Sequence, residues 1–214
     1  MEQNTVYANI AGYPGIYVPQ DHLLTIDGTG SLYARAMVSA AGIGGGVPNT
    51  DYVNCGDITI KGGNVRAKCD GSYAAGAGIG SGSNGTCGDI TITGGIVNAE
   101  CNQTRSRGAA IGSGFRGNCG NITITGGKVT ADSSGTQSTG AGIGSGNSGT
   151  CQNIIITNTV TRVEAKSKTA NSIGAGSSGS CGTVTIGGVV YWDGSAYQNG
   201  RDTYLPYGPL IYPQ

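Results

Sequence analysis

The sequence predicts an all-β fold, a single-stranded parallel β-helix (β-solenoid) of about six coils of about 32 residues, with irregular N- and C-terminal caps. The first observation is a column of cysteines spaced by 32, 32, 32 and 30 residues: Cys55, Cys87, Cys119, Cys151 and Cys181. The second is that each cysteine starts a similar block, such as "CGDITIKGGNVRAKC" and "CGDITITGGIVNAEC". A fixed internal period of roughly 20 to 50 residues is typical of stacked repeat proteins.

Each block contains three short elements. The segment "DITI" at 57–60 alternates apolar Ile58 and Ile60 with polar residues, which indicates a strand. Gly62 and Gly63 form a corner, and "NVRAKC" at 64–69 alternates again as a second strand. The third element is the glycine-rich string. Helices are not expected, because Gly costs about 1 kcal/mol relative to Ala inside a helix and no helical apolar stripe appears.

The apolar positions of successive blocks form columns, which is the third observation. A parallel β-helix needs such columns, because each strand pairs with the same strand about 4.8 Å away along the axis. Two columns from the first strand predict the centre of the core: Ile58, Ile60, Ile90, Ile92, Ile122, Ile124, Ile154, Ile156, Val184 and Ile186. We expect a right-handed coil from the general preference for right-handed crossovers.

The chain is predicted to form one β-helix domain over residues 1–214. Residues 23–190 hold the coils, and residues 1–22 and 191–214, where Tyr and Pro concentrate, are predicted to cap the ends. Caps are needed because an open solenoid end exposes unpaired strand edges and apolar layers. In the fourth full unit "TNTVTRVEA" replaces "TGGKVTA", which predicts a widened corner or a bulge.

The glycine-rich strings resemble phosphate-binding loops when each is taken alone. "GAGIGSG" occurs at 76–82 and at 140–146, and "AAIGSG" occurs at 109–114. A dinucleotide fingerprint lies between a strand and a helix, and no helix is expected after any copy. Five copies at one period predict instead a third wall of the solenoid, where small residues let neighbouring coils approach closely.

The seven cysteines are predicted to act as small buried hydrophobic residues. Cys69 and Cys101 form a second column, which continues as Ser133 and Ser167. Residues one coil apart are within disulfide range, so a Cys69–Cys101 bridge is an open alternative. No metal site is expected, because the single histidine, His22, lies outside the repeat and no C-x-x-C occurs.

Asp57 and Asp89 stack at a strand entrance, in a column that continues as Asn121, Asn153 and Thr183. Side chains of this type commonly hydrogen-bond turn backbone, and this is the predicted role. A Ca²⁺ site at the two aspartates is the alternative.

Composition excludes several functions. Twelve Lys and Arg balance twelve Asp and Glu, and a neutral chain argues against a general nucleic-acid binder. No apolar run reaches membrane-spanning length, so membrane insertion is not expected, and no signal peptide is visible. No cofactor is expected.

Exposed aromatic and basic residues are the candidate ligand-binding residues. Aromatic rings offer flat apolar platforms to sugars, and three arginines lie at corners near Phe115. The predicted set is Tyr52, Tyr73, Arg105, Arg107, Phe115, Arg116 and Trp192. Cap packing and isolated corner residues are the alternative interpretation.

The strings "AGIGSG" and "CGDITITGG", together with the closing "VTIGGVVYWDGSAYQNG", resemble the Gly-rich repeat regions of large adhesin-like surface proteins of gut Bacteroidetes and Firmicutes. The resemblance covers about residues 23 to 200. It implies secretion and a cell-surface or binding role.

We therefore predict a non-catalytic, extracellular or cell-surface β-helix module that binds a polysaccharide or a host surface glycoprotein. No catalytic residues are assigned, because a Ser-His-Asp set needs a histidine and the single one, His22, lies outside the repeat. Two alternatives stay open. The first is a structural or assembly module, such as a stalk, spacer or phage tail-fibre segment, and the second is a polysaccharide lyase or hydrolase.

Overall fold

The computed structural model describes residues 3–7, 11–46, 53–198 and 206–213. This part of the chain contains β-strands and turns and no helix. Its strands stack in four sheets, and like strands of successive coils pair in parallel. The predicted parallel β-helix is therefore confirmed. We number the sheets 1 to 4 in the order in which a coil passes through them.

Sheets 1 and 2 carry the two strands that alternation predicts. The strands of sheet 1 are Leu23–Ile26, Asp57–Ile60, Ile90–Ile92, Ile122–Ile124, Ile154–Ile156, Val184–Ile186 and Val189–Trp192. The strands of sheet 2 are Gln3–Tyr7, Ser31–Met37, Asn64–Asp70, Ile96–Glu100, Lys128–Ser133, Arg162–Asn171 and Pro206–Tyr212. In both sheets the first six strands are parallel and the last is antiparallel.

Sheets 3 and 4 are built from two-residue strands. Sheet 3 holds the glycine-rich wall, with strands Ile16–Tyr17, Ile43–Gly44, Ile79–Gly80, Ile111–Gly112, Ile143–Gly144 and Ile173–Gly174. Sheet 4 holds the cysteine column, with strands Thr86–Cys87, Asn118–Cys119, Thr150–Cys151 and Ser180–Cys181. The sequence predicts three strands per coil and misses sheet 4, because a two-residue strand is too short to display alternation.

The register places identical residues directly above one another. Ile58, Ile90 and Ile122 are consecutive partners in sheet 1, and the ten predicted core residues are all at most 2% exposed. They form one cluster with the Val and Ala columns of sheet 2, the Ile column of sheet 3 and the cysteines of sheet 4. Fully burying an Ile side chain stabilises a protein by about 1.5 to 3 kcal/mol, so these columns dominate stability.

Glycine is required in sheet 3 by close contact between coils. A Cβ atom added to Gly78 would lie 2.6 Å from the carbonyl oxygen of Ala110. Gly80 adopts a φ of +132°, which L-residues rarely adopt, and its added Cβ would lie 1.9 Å from the oxygen of Gly112. Ile79 between them is fully buried. The string is thus a wall whose Ile faces the core.

The terminal segments are more regular than the irregular caps that the sequence suggests. Residues 3–7 and 16–17 add parallel strands to sheets 2 and 3. At the other end, Val189–Trp192 and Pro206–Tyr212 pair antiparallel with the last parallel strands of sheets 1 and 2. These reversed strands satisfy backbone groups that would otherwise form open edges.

The irregular fourth unit widens a corner without changing strand register. Val129 pairs with Val163, 34 residues away, and Ser133 pairs with Ser167 at the same separation. The two extra residues lie between sheets 1 and 2, where Val160 is buried. In other coils a longer corner connects the sheet 2 strand to sheet 3. In this unit the sheet 2 strand itself continues to Asn171 and takes the place of most of that corner.

Candidate functional site

Two corners of the coil flank sheet 3, one before its strand and one after it. One corner connects sheets 2 and 3 and carries Arg105 and Arg107, and the other connects sheets 3 and 4 and carries Phe115 and Arg116. A hydrogen bond of 2.7 Å from the Phe115 backbone N–H to the Ala75 carbonyl oxygen ties the second corner to the first corner of the preceding coil. We call Arg105, Arg107, Phe115 and Arg116 the arginine patch.

The arginine patch lines a concave surface with a volume of about 440 Å³. The rest of the lining is uncharged and comes from the next coil: Gln137, Thr139, Asn147 and Ser148. The candidate residues that the sequence indicates do not include these four. Their positions follow from the period, because each lies 32 residues after a member of the patch.

The Phe115 ring brings two cations together. The guanidinium carbons of Arg107 and Arg116 each lie 4.9 Å from the centroid of the half-buried ring. Such cation–π contacts contribute about 0.5 to 1 kcal/mol at exposed sites. Phe115 therefore positions arginines, in contrast to the free aromatic platform that the sequence suggests.

Arg105 is held by its own set of contacts. Its guanidinium carbon lies 5.3 Å from the centroid of the Tyr73 ring, and its Nη1 donates to the Tyr73 hydroxyl. Its Nε donates to Oε1 of Gln137 at 2.7 Å. Tyr73, Arg105 and Gln137 occupy the same position in three successive coils, so the stacking of coils fixes these contacts.

The backbone of the patch is rigidly placed. Arg107 donates its N–H to the oxygen of Ala74 at 2.7 Å, and Arg116 donates to Asn147 at 3.0 Å. Arg116 has a left-handed φ of 52°, as do the residues at the same corner in neighbouring coils, Asn84 and Ser148. A glycine follows each of these residues, so the corner geometry repeats while the side chain varies.

The patch carries uncompensated positive charge. None of its three arginines forms an ion pair within the described ranges, and no carboxylate lines the concave surface. The other described arginines all have carboxylate partners: Arg35 with Asp70, Arg66 with Glu100, and Arg162 with Glu164. The hydrogen bonds that Arg66 donates to Glu100 raise the pKa of Arg66, as expected for a paired guanidinium.

The remaining aromatic candidates are placed elsewhere. Trp192 lies in the last strand of sheet 1, where its ring packs edge-on against Tyr197 with centroids 4.9 Å apart. Its Nε1 donates to the Cys181 carbonyl oxygen at 3.4 Å, so it belongs to the C-terminal packing. Tyr52 lies outside the described residues.

The carboxylates of the Asp column are engaged with backbone. Oδ1 of Asp57 accepts from the N–H of Asp89, and Oδ1 of Asp89 accepts from the N–H of Asn121. Two cavities of about 540 and 550 Å³ lie beside this column, and both are lined by Asp57 and Thr86. Across the described part of the chain, no group of three or more His, Cys, Asp or Glu side chains could hold a metal ion.

The cysteines are free thiols. Six are buried and Cys181 is half-buried. Two effects raise the pKa of Cys69 well above its ordinary value: the hydrogen bond with Cys101, which is the larger, and burial. The two cysteines that the sequence offers as a disulfide pair thus stack as protonated thiols, which pack as small hydrophobic groups.

Within the residues that the structure describes, no helix is long and apolar enough to cross a membrane.

Neither the curated proteins nor the solved structures contain a match to the chain. A family described as Beta helix repeat matches residues 24–47, 58–83, 90–115 and 122–147. These segments begin at or next to the strands of sheet 1 and run through sheets 2 and 3, so each match covers most of one coil. The chain therefore carries a repeat region of the β-helix kind.

Proposed function

We propose that this chain is a non-catalytic β-helix module of an adhesin-like protein at the cell surface, and that it binds a glycan or a surface glycoprotein. The observation that carries the proposal is the convergence on one concave surface of three arginines, none of which has a carboxylate partner among the described residues. Guanidinium groups donate several hydrogen bonds in a fixed plane, which suits recognition of oxygen-rich ligands.

The rigidity of the scaffold supports a binding role. The backbone of each patch residue is hydrogen-bonded to a neighbouring coil, so little ordering of the protein is needed when a ligand binds. A preorganised site loses less conformational entropy on binding and gains affinity for that reason. The engagement of Asp57 and Asp89 with backbone favours a structural role for these carboxylates over a catalytic one.

The test is binding of the purified chain to a glycan array and to immobilised mucin. The patch variant is Arg105→Gln, Arg107→Thr and Arg116→Ser, in which each new residue is the one found 32 positions later. These residues already occupy the same corners, so the fold is expected to be kept. We expect binding by the natural chain and its loss in the patch variant. Arg162→Gln, which removes an arginine paired with Glu164, is the matched control.

A structural spacer is the second candidate, and the regular bonding between coils favours it. The column of Asp57, Asp89, Asn121 and Asn153 links each coil to the next through side-chain oxygens. Such stacks make stiff, extended modules. Absence of binding by the natural chain on both the array and mucin would favour this candidate and contradict the first.

A further inference from the structure

We infer that the arginine patch recognises anionic groups on a short stretch of glycan, namely sulfate esters or carboxylates. The inference rests on the proposed function for the statement that the ligand is a glycan. What the inference adds is that the bound part of the glycan is anionic and short.

The charge balance of the patch points to an anionic ligand. The whole chain has a formal net charge of zero, yet three positive side chains line one concave surface to which no described carboxylate contributes. Like charges held close together repel each other, and an anion between them removes that repulsion. Because arginine stays protonated at all pH values that proteins tolerate, the patch keeps its charge.

The free hydrogen-bond donors point the same way. Among the described residues, the side chains of Arg107 and Arg116 make no hydrogen bond to protein, and both are exposed. Both guanidinium carbons lie 4.9 Å from the Phe115 centroid, so they are at most 9.8 Å apart. Two such forks can each bind one sulfate or carboxylate with paired N–H donors.

The state of Phe115 disfavours recognition of a neutral sugar face. Two guanidinium groups already lie over its ring, so a sugar that stacked on this ring would first have to displace a cation. An anionic ligand can bind the same guanidinium groups while their contacts with the ring are kept. The contacts of the free protein therefore suit an acidic glycan better than a neutral one.

The neighbouring coils limit the length of ligand that is read. Positions equivalent to the three arginines are uncharged on both sides: Tyr73, Ala75 and Asn84 in the preceding coil, and Gln137, Thr139 and Ser148 in the following one. A long polyanion such as nucleic acid needs a continuous basic surface. The volume enclosed by the concave surface, about 440 Å³, lies within the range of about 300 to 1,000 Å³ that is typical of small-molecule pockets.

The experiment is a calorimetric titration with three oligosaccharides of equal length, one sulfated, one made of uronates and one neutral. We expect at least one anionic ligand to bind about tenfold more tightly than the neutral ligand, with affinity falling as salt rises. The patch variant should lose about tenfold or more for that ligand, and Arg162→Gln should not. Circular dichroism melting should show both variants folded.

Repeating the titration at pH 3 separates the two anion types. Carboxylates with an ordinary pKa near 4 are mostly protonated there, so binding through uronates should be lost and binding through sulfate esters kept. If the natural chain bound the neutral ligand as tightly as both anionic ligands, and the patch variant lost that binding, this inference would be overturned and the proposed function would stand. Binding of none of the three would contradict both, and equally tight binding of a DNA oligonucleotide at physiological salt would overturn the assignment to a short glycan.

Discussion

The carboxylate of Asp57 accepts a hydrogen bond of 2.8 Å from the backbone N–H of Asp89, the residue at the same place one coil later. The glycine before each column residue makes room for this contact, because a Cβ at Gly88 would lie 2.1 Å from Asp57 Oδ1. In the fourth unit Gln152 replaces that glycine, and the corresponding bond from Asn153 to Asn121 lengthens to 3.3 Å. The "CG" of the repeat thus serves the bond between coils.

Replacement of Asp89 by Ala should lower the free energy of unfolding by about 1 kcal/mol, because the N–H of Asn121 loses its acceptor at a partly exposed corner. Asp89→Asn should change it by much less, since Asn121 and Asn153 already act as acceptors in the same column. Urea unfolding of the three proteins measures both effects. Equal loss in the Asn and Ala variants would show that charge, and not hydrogen bonding, is what the position supplies.

Gly78→Val should destabilise the protein by about 3 kcal/mol, because its side chain would overlap the Ala110 oxygen and the Glu100 backbone nitrogen, 2.6 and 2.9 Å from an added Cβ. Gly30→Ala is the control, since nothing lies within 4 Å of its added Cβ and no positive φ is required. Thermal unfolding compares the two. A tolerated Gly78→Val would contradict the close packing of sheet 3, and we expect no nucleotide binding in either protein.

Alkylation of the native protein should label Cys181 before the other cysteines. It is the thiol that is only half-buried, and its hydrogen bond with Cys151 lowers its pKa, which raises the thiolate fraction. The same hydrogen bond, together with burial, raises the pKa of Cys151, which is the partner of Cys181. Mass spectrometry after brief iodoacetamide treatment identifies the labelled residue. Early labelling of Cys69 or Cys101 would contradict their burial in the stacked columns.

The carboxyl group of Asp193 should titrate with a pKa of about 2, because it accepts hydrogen bonds from the backbone N–H groups of Ala196 and Ser195. The ordinary pKa is about 3.9, so the folded value is depressed. The bonds of this turn therefore stabilise the fold above about pH 4, and their contribution is lost as the pH falls toward 2. A carbon-detected NMR titration measures the value. A midpoint near 4 would show that the turn does not hold the carboxylate.

Copying the arginine patch into the next coil should extend the basic surface over two coils, because the four residues to be changed are the ones that complete the lining of the first site. The changes are Gln137→Arg, Thr139→Arg, Asn147→Phe and Ser148→Arg, which place the patch residues 32 positions later. If the patch binds anionic glycan, a longer acidic oligosaccharide should bind about tenfold or more tightly to the doubled protein, through two linked contacts. Calorimetry with short and long ligands tests this. Affinity that stays the same for the long ligand would argue against the patch as the contact surface.

Much of the fold follows from the period. Columns such as Ile58, Ile90 and Ile122 can be read from the sequence because parallel stacking puts residues of one phase in one layer. Sheet 4 could not be predicted, since its strands are two residues long and their pairing depends on where the corners fall. The strands in the terminal segments could not be predicted for a related reason. They form because they pair with an existing sheet, and their local sequence pattern does not indicate a strand.

The candidate site was predicted in part. The sequence points to its arginines individually, but the contact of Arg107 and Arg116 with one ring requires two corners to meet across sheet 3. The sequence groups Trp192 with them because of its aromatic ring, and the structure places it against Tyr197 in the C-terminal segment. Aromatic type alone says nothing of which corner a residue reaches.

The sequence by itself determines that this protein is a stack of coils with an Ile, Val and Ala core, because a 32-residue period and a two-residue alternation leave one way to bury the apolar columns. The tertiary structure decides which corner residues become neighbours. The closed coil brings corners on the two sides of sheet 3 into contact, as the contacts of Phe115 with Arg107 and Ala75 show. That no carboxylate in the described part of the chain pairs with these three arginines is therefore a property of the folded protein, which linear spacing does not show.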